Sequence, residues 1–483
     1  MLQTKHYHRI LPLAFIRFKY SNVKGPQQMK TPIESGQIIA DMKVSIIGGG
    51  GHVGLAMALV LVDADHDVVL VDQNKDILDT IEAGKLPYHE PEGERLLRKG
   101  LSENRMEFST DVSAVAGTDV VVTVVGTPID EHNNPQMESL LNLIEELKPH
   151  LSDGQLLLLR STVYPGTTQN VTDALERDGI AVGSVDTESD GLAVSLAFTP
   201  ERVAQHDAIA EMVELPQLIG AVDDASYDHA RAFFNTFLEA ECPRLSPTEA
   251  EIGKLFTNMW RYITFATANE FFLIADSFAA DHDVNVHRIL DQSSRGYPRF
   301  DVPSPGANVG GPCLTKDGWF LVDDIPYNEL VSTAYQINEG LPAQVVRRMA
   351  RAEPDPDRIT VLGMTFKRDS DDVRNSVSFK MIKFLRRKGY DNVVRIEPNR
   401  DGFDDWAAAE GSDWVVLMTP HSEFADFETV AARIDNPDCL YCDIWGHWDE
   451  PRYESDNGYF YGREFLAQSA ESGDASAAEG VGR

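Results

Sequence analysis

Positive charge is scarce in this chain: 43 Lys and Arg stand against 77 Asp and Glu, a formal net charge of −34. A surface so acidic repels polyanions, which excludes nucleic acid and an anionic membrane as the main partner. It fits instead a solvated surface in a salt-rich cytoplasm, where counter-ions screen the self-repulsion. Long hydrophobic runs are missing too. None reaches the roughly 18 apolar residues of a membrane-spanning helix, so no membrane segment is expected. Cysteine occurs four times in 483 residues, which excludes a disulfide-stapled scaffold and indicates a reducing compartment. Two of the four form a C-x-x-C, Cys439 and Cys442 in DCLYCDIWG. Zinc would require two further ligands at suitable spacing, and no second such pair exists. The segment alternates as a strand does and begins no helix, unlike redox C-x-x-C sites. Core packing is expected there, and no metal.

What is present is an ordinary globular composition, 42% hydrophobic, in a chain long enough for two or three domains. Residues 1–28 are foreign to the rest, with five Lys or Arg and no Asp or Glu. They lack the apolar core and small-residue cleavage site of a signal peptide. Residues 1–41 therefore read as a disordered or mis-assigned extension, with Met29 or Met42 as the true start. The tail 467–483, AQSAESGDASAAEGVGR, is small and polar and is expected to be disordered.

From Met42 the chain reads MKVSIIGGGGHVGLAMALVLVDADHDVVLVDQN. An apolar run, Val44 to Ile47, enters a glycine cluster; a helical pattern, Val53 to Val62, follows; a second run, Val68 to Val71, ends at Asp72. Gly49, Gly51 and Gly54 satisfy G-x-G-x-x-G, the pattern that permits a sharp turn, close approach to a pyrophosphate and tight helix–strand packing. His52 and Val53 then open a helix whose N-terminus faces the phosphates. A carboxylate at Asp72 would accept from a ribose and repel a 2′-phosphate, so the expected cofactor is NAD rather than NADP. Further βα units follow: DVVVTVVGTP (119–128), a helix over 137–151 and the strand LLLLRST (156–162). Thr127, Pro128, Thr162 and Glu201 lie at or beyond strand carboxyl ends, where such sheets bind ligands.

A second α/β unit begins near Asp357 with RITVLGMTF, SVSFKMIKFLRRKGY, NVVRIEP, DWVVLMTP and LYCDIWG. It has no dinucleotide fingerprint. Lys367 and Arg374, in FKRDSDDVRNS, follow its first strand and would either hold phosphate or lie in solvent. Between the halves, SPTE (246–249) is a helix start: Ser246 as N-cap, Pro247 first, Glu249 completing a capping box. The apolar pattern Ile252, Leu255, Phe256, Met259, Ile263, Ala266, Phe271 runs unbroken to about Ala280. Roughly 33 residues at 1.5 Å each make a helix of about 50 Å, a spine between domains and a surface for a second subunit. Lys254 and Asn258 project from one side of it. They would serve as oxyanion donors or, by spacing alone, as solvated exterior residues. Downstream, GGPCLTKD (310–317) sets Cys313 after Gly310 and Gly311, with Lys316 and Asp317 just beyond. That is either a reaction centre or a tight turn around a small residue.

Seven segments in order, GGGGHVGL, VGTP, STVYPGTT, TPERVA, EIGKLFTNMWRYITFATANE, GGPCLTKD and FKRDSDDVRNS, resemble the UDP-glucose/GDP-mannose dehydrogenase family of NAD-dependent nucleotide-sugar 6-dehydrogenases, over about residues 42–465. The resemblance implies an α/β fold of two Rossmann-like doubly wound domains joined by a long central helix and a helical dimerisation segment. Its parts would be an NAD-binding domain (42–240), a central segment carrying the cysteine (241–350) and a UDP-sugar-binding domain (351–466), in a homodimer. It implies oxidation of a sugar C6 alcohol to a carboxylate with two NAD+ per turnover. Cys313 matches the nucleophile, whose thiohemiacetal becomes a thioester that water cleaves. Nearby cations would lower the thiol's pKa. Lys254 and Asn258 match the oxyanion pair; Asp317 matches the carboxylate that positions or activates water, with Thr162 assisting; Glu201 matches the glutamate of thioester hydrolysis. Where some relatives carry a second acid, this chain has Gln205. The same resemblance places Arg202, Val203, Gly310, Gly311, Lys367 and Arg374 against the substrate and offers Arg299 across the dimer interface.

For the sugar, TPERVA, YPRFDVPSPGANVGG, WFLVDDIP and WRYITFATANE look like the branch acting on UDP-N-acetylmannosamine. Lys316 instead gives C-x-x-K-D, as in UDP-glucose and GDP-mannose enzymes, and Pro312 replaces the histidine usual before the cysteine in the N-acetyl branch. UDP-glucose and other UDP-N-acetylhexosamines are the alternatives, and supply of uronic acid to surface polysaccharides is the implied role. Two different readings stand beside these: a catalytically silent NAD-binding protein, and a two-electron hydroxyacid dehydrogenase with a lysine catalyst.

Overall fold

The computed structural model describes residues 41–127, 138–183, 191–279, 282, 284–311, 313–322, 328–352 and 355–448. The expected N-terminal extension up to residue 40, Pro128, Pro312 and the tail lie outside the described residues.

A first sheet is built from β1 (Lys43–Ile47), β2 (Asp67–Val71), β3 (Met106–Ser109), β4 (Val120–Thr123), β5 (Leu156–Leu159), β6 (Ala181–Val182), β7 (Ala193–Phe198), β8 (Ile219–Ala221) and β9 (Arg244–Leu245). Their order is β3-β2-β1-β4-β5-β7-β8-β9, with β6 beside β7. Pairing is parallel except between β7 and β8. Short runs of Val, Leu and Ile suit this arrangement because a parallel sheet is covered on both faces. Alternate residues accordingly enter two separate cores: Val44, Ile46, Leu156 and Leu158 on one face, Ile47, Val121, Leu157 and Leu159 on the other. The helix expected over 137–151 is regular only over Glu138–Leu147 and tightens into a single 3-10 turn at Lys148–His150. Pro149 has no N–H to continue the α-helical ladder.

The second sheet, β10 (Ile359–Leu362), β11 (Val393–Ile396), β12 (Trp414–Leu417) and β13 (Leu440–Cys442), is wholly parallel in the order β11-β10-β12-β13. Cys439 and Cys442 are free thiols buried in cores on its two faces. Alternation along the strand separates them, as core packing predicts.

Helix Pro247–Ala279 joins the halves. The capping box forms: Ser246 N donates to Glu249 Oε2 at 2.8 Å and Glu249 N to Ser246 Oγ at 3.3 Å. Ala250 at its start belongs to the core of the first sheet and Phe272 near its end to that of the second. Polar and apolar residues are mixed on both of its sides, with Leu255, Tyr262, Ala266 and Phe272 buried as well. Glu251, Lys254, Asn258, Asn269 and Asp276 are buried, while Phe256 (54%), Trp260 (66%), Ile274 (49%) and Phe278 (55%) are exposed along one side. The solvated-exterior reading of Lys254 and Asn258 is therefore wrong. The apolar pattern is divided between two faces, because the inner one also carries a polar site.

Candidate active site

The glycine turn that follows β1 leads into helix His52–Asp63, which begins with no side-chain cap and no acidic residue in its first turn. Its N–H groups are thus left for an anion. A Cβ at Gly54 would lie 2.4 Å from the Gly48 carbonyl oxygen, so only glycine lets the helix sit this close to the turn. At Gly51 a Cβ would come within 3.3 Å of the same Gly48 carbonyl oxygen, and Gly49 packs on Ile46 and Leu70. Asp72, one residue past β2, accepts from Gly50 N (3.0 Å) and Asn74 N (2.9 Å). Its carboxylate is thereby fixed at the place a ribose would take. The residues fit NAD.

Four chain segments meet beyond the strand ends. Cys313 precedes the helical turn Leu314–Asp317, and Asp317 N donates back to Cys313 O at 3.0 Å, so thiol and carboxylate share one turn. This turn packs on the long helix, where Asn258 Nδ2 donates to Asp317 Oδ2 at 2.6 Å. Asp317 is fully buried and its Oδ1 has no partner among the described residues. Burial raises its pKa, against the pull of Lys254, Lys316 and the Asn258 bond. Lys316 Nζ donates to Thr127 O (2.6 Å), and Thr127 Oγ1 to Thr162 O (2.6 Å), which ties the turn to the ends of β4 and β5.

The cysteine brings a correction. Cys313 is exposed as a residue, yet protein crowds its sulfur. Desolvation, with Asp317 adding to it, raises the thiol's pKa; Lys254, Lys316 and Arg374 pull it down and are outweighed. Nearby cations do not leave a low-pKa thiol in the free protein.

Glu201, beyond β7, pairs with Arg160 at the end of β5 and accepts from Arg202 N (2.6 Å) and Val203 N (2.8 Å). Burial opposes its charge, but Arg160, the backbone amides and Lys254 together hold its pKa below the usual value. The Arg202 guanidinium is occupied by the Pro216 carbonyl.

Around the cysteine, Gly311 has φ +101° and a Cβ there would meet the Phe366 ring at 2.8 Å; at Gly310 it would meet Asn375 O at 2.8 Å. These glycines admit the loop after β10, which brings Arg374 toward the thiol. Arg374 is held by Asp372, with Nη2 to Oδ2 at 2.6 Å. Asp372 also lies 3.9 Å from His52 Nε2 at the glycine turn. Desolvation and Arg374 lower the His52 pKa to about 4 despite Asp372 and Asp371, so its ring, stacked on Tyr88 at 3.6 Å, is neutral. Lys367 does not lie free in solvent; it donates to Gln205 O and Asp207 Oδ2. Arg299 is not brought into the site. It is exposed, over the Tyr297 ring at 4.5 Å.

Three buried residues that tie distant segments together escaped the sequence reading. Arg160 ends an all-Leu strand, and a charge there was its signal. Glu251, fully buried, accepts from Gly166 N (2.6 Å) and Thr168 N (2.7 Å) and anchors the STVYPGTT loop to the long helix. Asn308 donates to Thr365 O (2.7 Å) and Thr419 Oγ1 (2.8 Å) and accepts from Val377 N (2.7 Å), joining the cysteine loop to the second sheet. No sequence pattern marks the other two.

Residues 42–238 match the NAD-binding domain of the UDP-glucose/GDP-mannose dehydrogenase family, 248–340 its central domain and 360–450 its UDP-binding domain. The chain belongs to this family and is an NAD-dependent nucleotide-sugar dehydrogenase, an oxidoreductase. It is 28% identical over 403 residues to the UDP-N-acetyl-D-mannosamine dehydrogenase of Methanocaldococcus jannaschii, which covers 80% of this chain and 89% of that protein. It is equally 28% identical, over 403 residues, to an NDP-N-acetyl-D-galactosaminuronic acid dehydrogenase of Ralstonia nicotianae, covering 80% and 93%. The solved structure of the UDP-D-ManNAc dehydrogenase of Pyrococcus horikoshii superposes with a TM-score of 0.77 at 27% identity, covering 87% of this chain and 99% of that one. The silent-protein and hydroxyacid readings are set aside. Among the described residues no helix is long and apolar enough to cross a membrane.

Proposed function

We propose that the protein oxidises the C6 alcohol of UDP-N-acetyl-D-mannosamine to a uronate in two steps on Cys313. The observation that carries this reading is the turn that puts the Cys313 thiol and a buried, half-unpartnered carboxylate together, beside Lys254 and Asn258. Bound NAD+ supplies a hydride acceptor, once for the alcohol and once more after exchange. The hydroxyl proton of the alcohol and the thiol proton of Cys313 pass to water; the sulfur bonds to the C6 aldehyde carbon and the carbonyl electron pair moves to oxygen. Lys254, and the second amide hydrogen of Asn258, stabilise that oxyanion. After the second oxidation the C6–sulfur bond is a thioester. Water adds to it, its proton passes to Asp317 Oδ1, and the thiolate leaves.

The names of the relatives favour the N-acetylmannosamine substrate; Lys316 in C-x-x-K-D favours UDP-glucose as the alternative. The exposed apolar side of the long helix supports a homodimer, with Arg299 offered to the partner's site. Incubation with a panel of UDP-sugars and GDP-mannose at high salt is the test. Two NADH per sugar and a uronate in the mass spectrum are expected with UDP-N-acetylmannosamine. One NADH per sugar, or turnover confined to another sugar, overturns the reading.

A further inference from the structure

One buried charge has no part in the chemistry above. Arg160 sits at the carboxyl end of β5 with its side chain 3% exposed, facing Glu201 at 12%. Its Nη1 donates to Gln217 Oε1 at 3.0 Å, and its guanidinium lies 5.5 Å from the Phe234 ring centroid. Gln217 in turn donates to Pro200 O (3.2 Å) and Leu218 O (2.9 Å), so one clamp grips both the arginine and the residue before Glu201. Arg160 Nε has no partner among the described residues. A pair this buried, with a donor left unsatisfied, is a poor device for stability: desolvating both ions costs about as much as their attraction returns. Stability alone does not account for it.

We infer that Arg160 is a positioning residue for the reaction, fixing Glu201 in one orientation as a carboxylate beside Lys254. This rests on the function proposed above. The charged groups facing Glu201 are Arg160 from β5, Lys254 from the long helix and Arg202 from its own loop. Arg202 is turned to the Pro216 carbonyl and Lys254 also faces Cys313 and Asp317. Arg160 is thus the cation committed to Glu201. A glutamate so held cannot swing, and its negative charge stays facing Lys254, where the oxyanion forms. With Arg160 gone, Glu201 would be a buried carboxylate with two backbone amides and a shared lysine, and it would take up a proton at higher pH.

The test pairs R160Q with R160K and E201Q. In R160Q the acid limb of the kcat–pH profile should move upward, with turnover at the low-pH end falling roughly tenfold for each pH unit the limb moves. R160K should recover most of the limb's position, and the R160Q/E201Q double variant should be no slower than E201Q. Difference infrared spectra of each Arg160 variant with and without E201Q follow the carboxylate directly and require no turnover. They decide the matter even if the proposed substrate is wrong, which would show separately as a wild-type protein making no NADH. Should R160Q not fold, R160K carries the test with a smaller displacement in the same direction. A limb and a carboxylate titration unchanged from wild type, whatever the loss of rate or melting temperature, would falsify the role.

Discussion

Asn258 donates its amide to Asp317 across 59 positions of sequence, at 2.6 Å, and the other oxygen of that carboxylate is buried with no partner among the described residues. The pair is therefore oriented through one oxygen of the carboxylate. Asn258→Ala leaves both oxygens unpartnered. We expect destabilisation of about 1–3 kcal/mol, the cost of a buried unsatisfied group, and a large fall in kcat. Chemical denaturation and steady-state kinetics check this; an N258A protein with wild-type turnover sinks the pairing's role.

The thiol pKa is raised by desolvation first and by Asp317 second. A raised pKa keeps the sulfur protonated until higher pH, so its alkylation in the free enzyme should go on accelerating above the pH where a free thiol levels off. Asp317→Asn removes the like charge and should shift that curve to lower pH while turnover drops by orders of magnitude. Iodoacetamide inactivation rates against pH, with nucleotide sugar as protectant, give the readout. Cys313→Ser should abolish uronate formation and leave NAD binding intact.

At Asp72 the carboxylate is fixed by Gly50 and Asn74 at the end of β2. Asp72→Asn removes the charge that repels a 2′-phosphate. NAD+ should bind several-fold more weakly and NADP+ relatively better. Fluorescence titration with both dinucleotides measures the ratio, and an unchanged ratio counts against the ribose assignment.

The exposed side of the long helix carries Phe256, Trp260, Ile274 and Phe278. Burying such side chains contributes about 1.5–3 kcal/mol each. Trp260→Glu should shift the protein from dimer to monomer in sedimentation velocity and cost activity if Arg299 serves the partner's site. A wild-type monomer, or a dimer indifferent to this change, refutes the interface.

Local pattern was enough for much of this. The fingerprint Gly49, Gly51, Gly54 with Asp72 one strand later, and the capping box at Ser246, are set within a few residues of chain, so spacing reveals them. The helix from Pro247 ends at Ala279, close to where the apolar pattern stops. Which face of that helix points inward was not legible, because a helix pattern is periodic and carries no absolute direction. The packing of two sheets around it turned inward a face that carries Glu251, Lys254 and Asn258 together with Leu255 and Phe272.

The two nucleotide folds, the order of the motifs and the residue types available for chemistry are thus already written in the chain. They follow from periodicity and from the few backbone shapes that glycine, proline and capping residues allow. That Arg160 meets Glu201, that Asp317 is buried with one oxygen free, and that the cysteine's cations are outweighed emerge on folding. Each depends on atoms brought together from distant segments, where the depth of burial rather than the identity of the residue sets the strength of a charge.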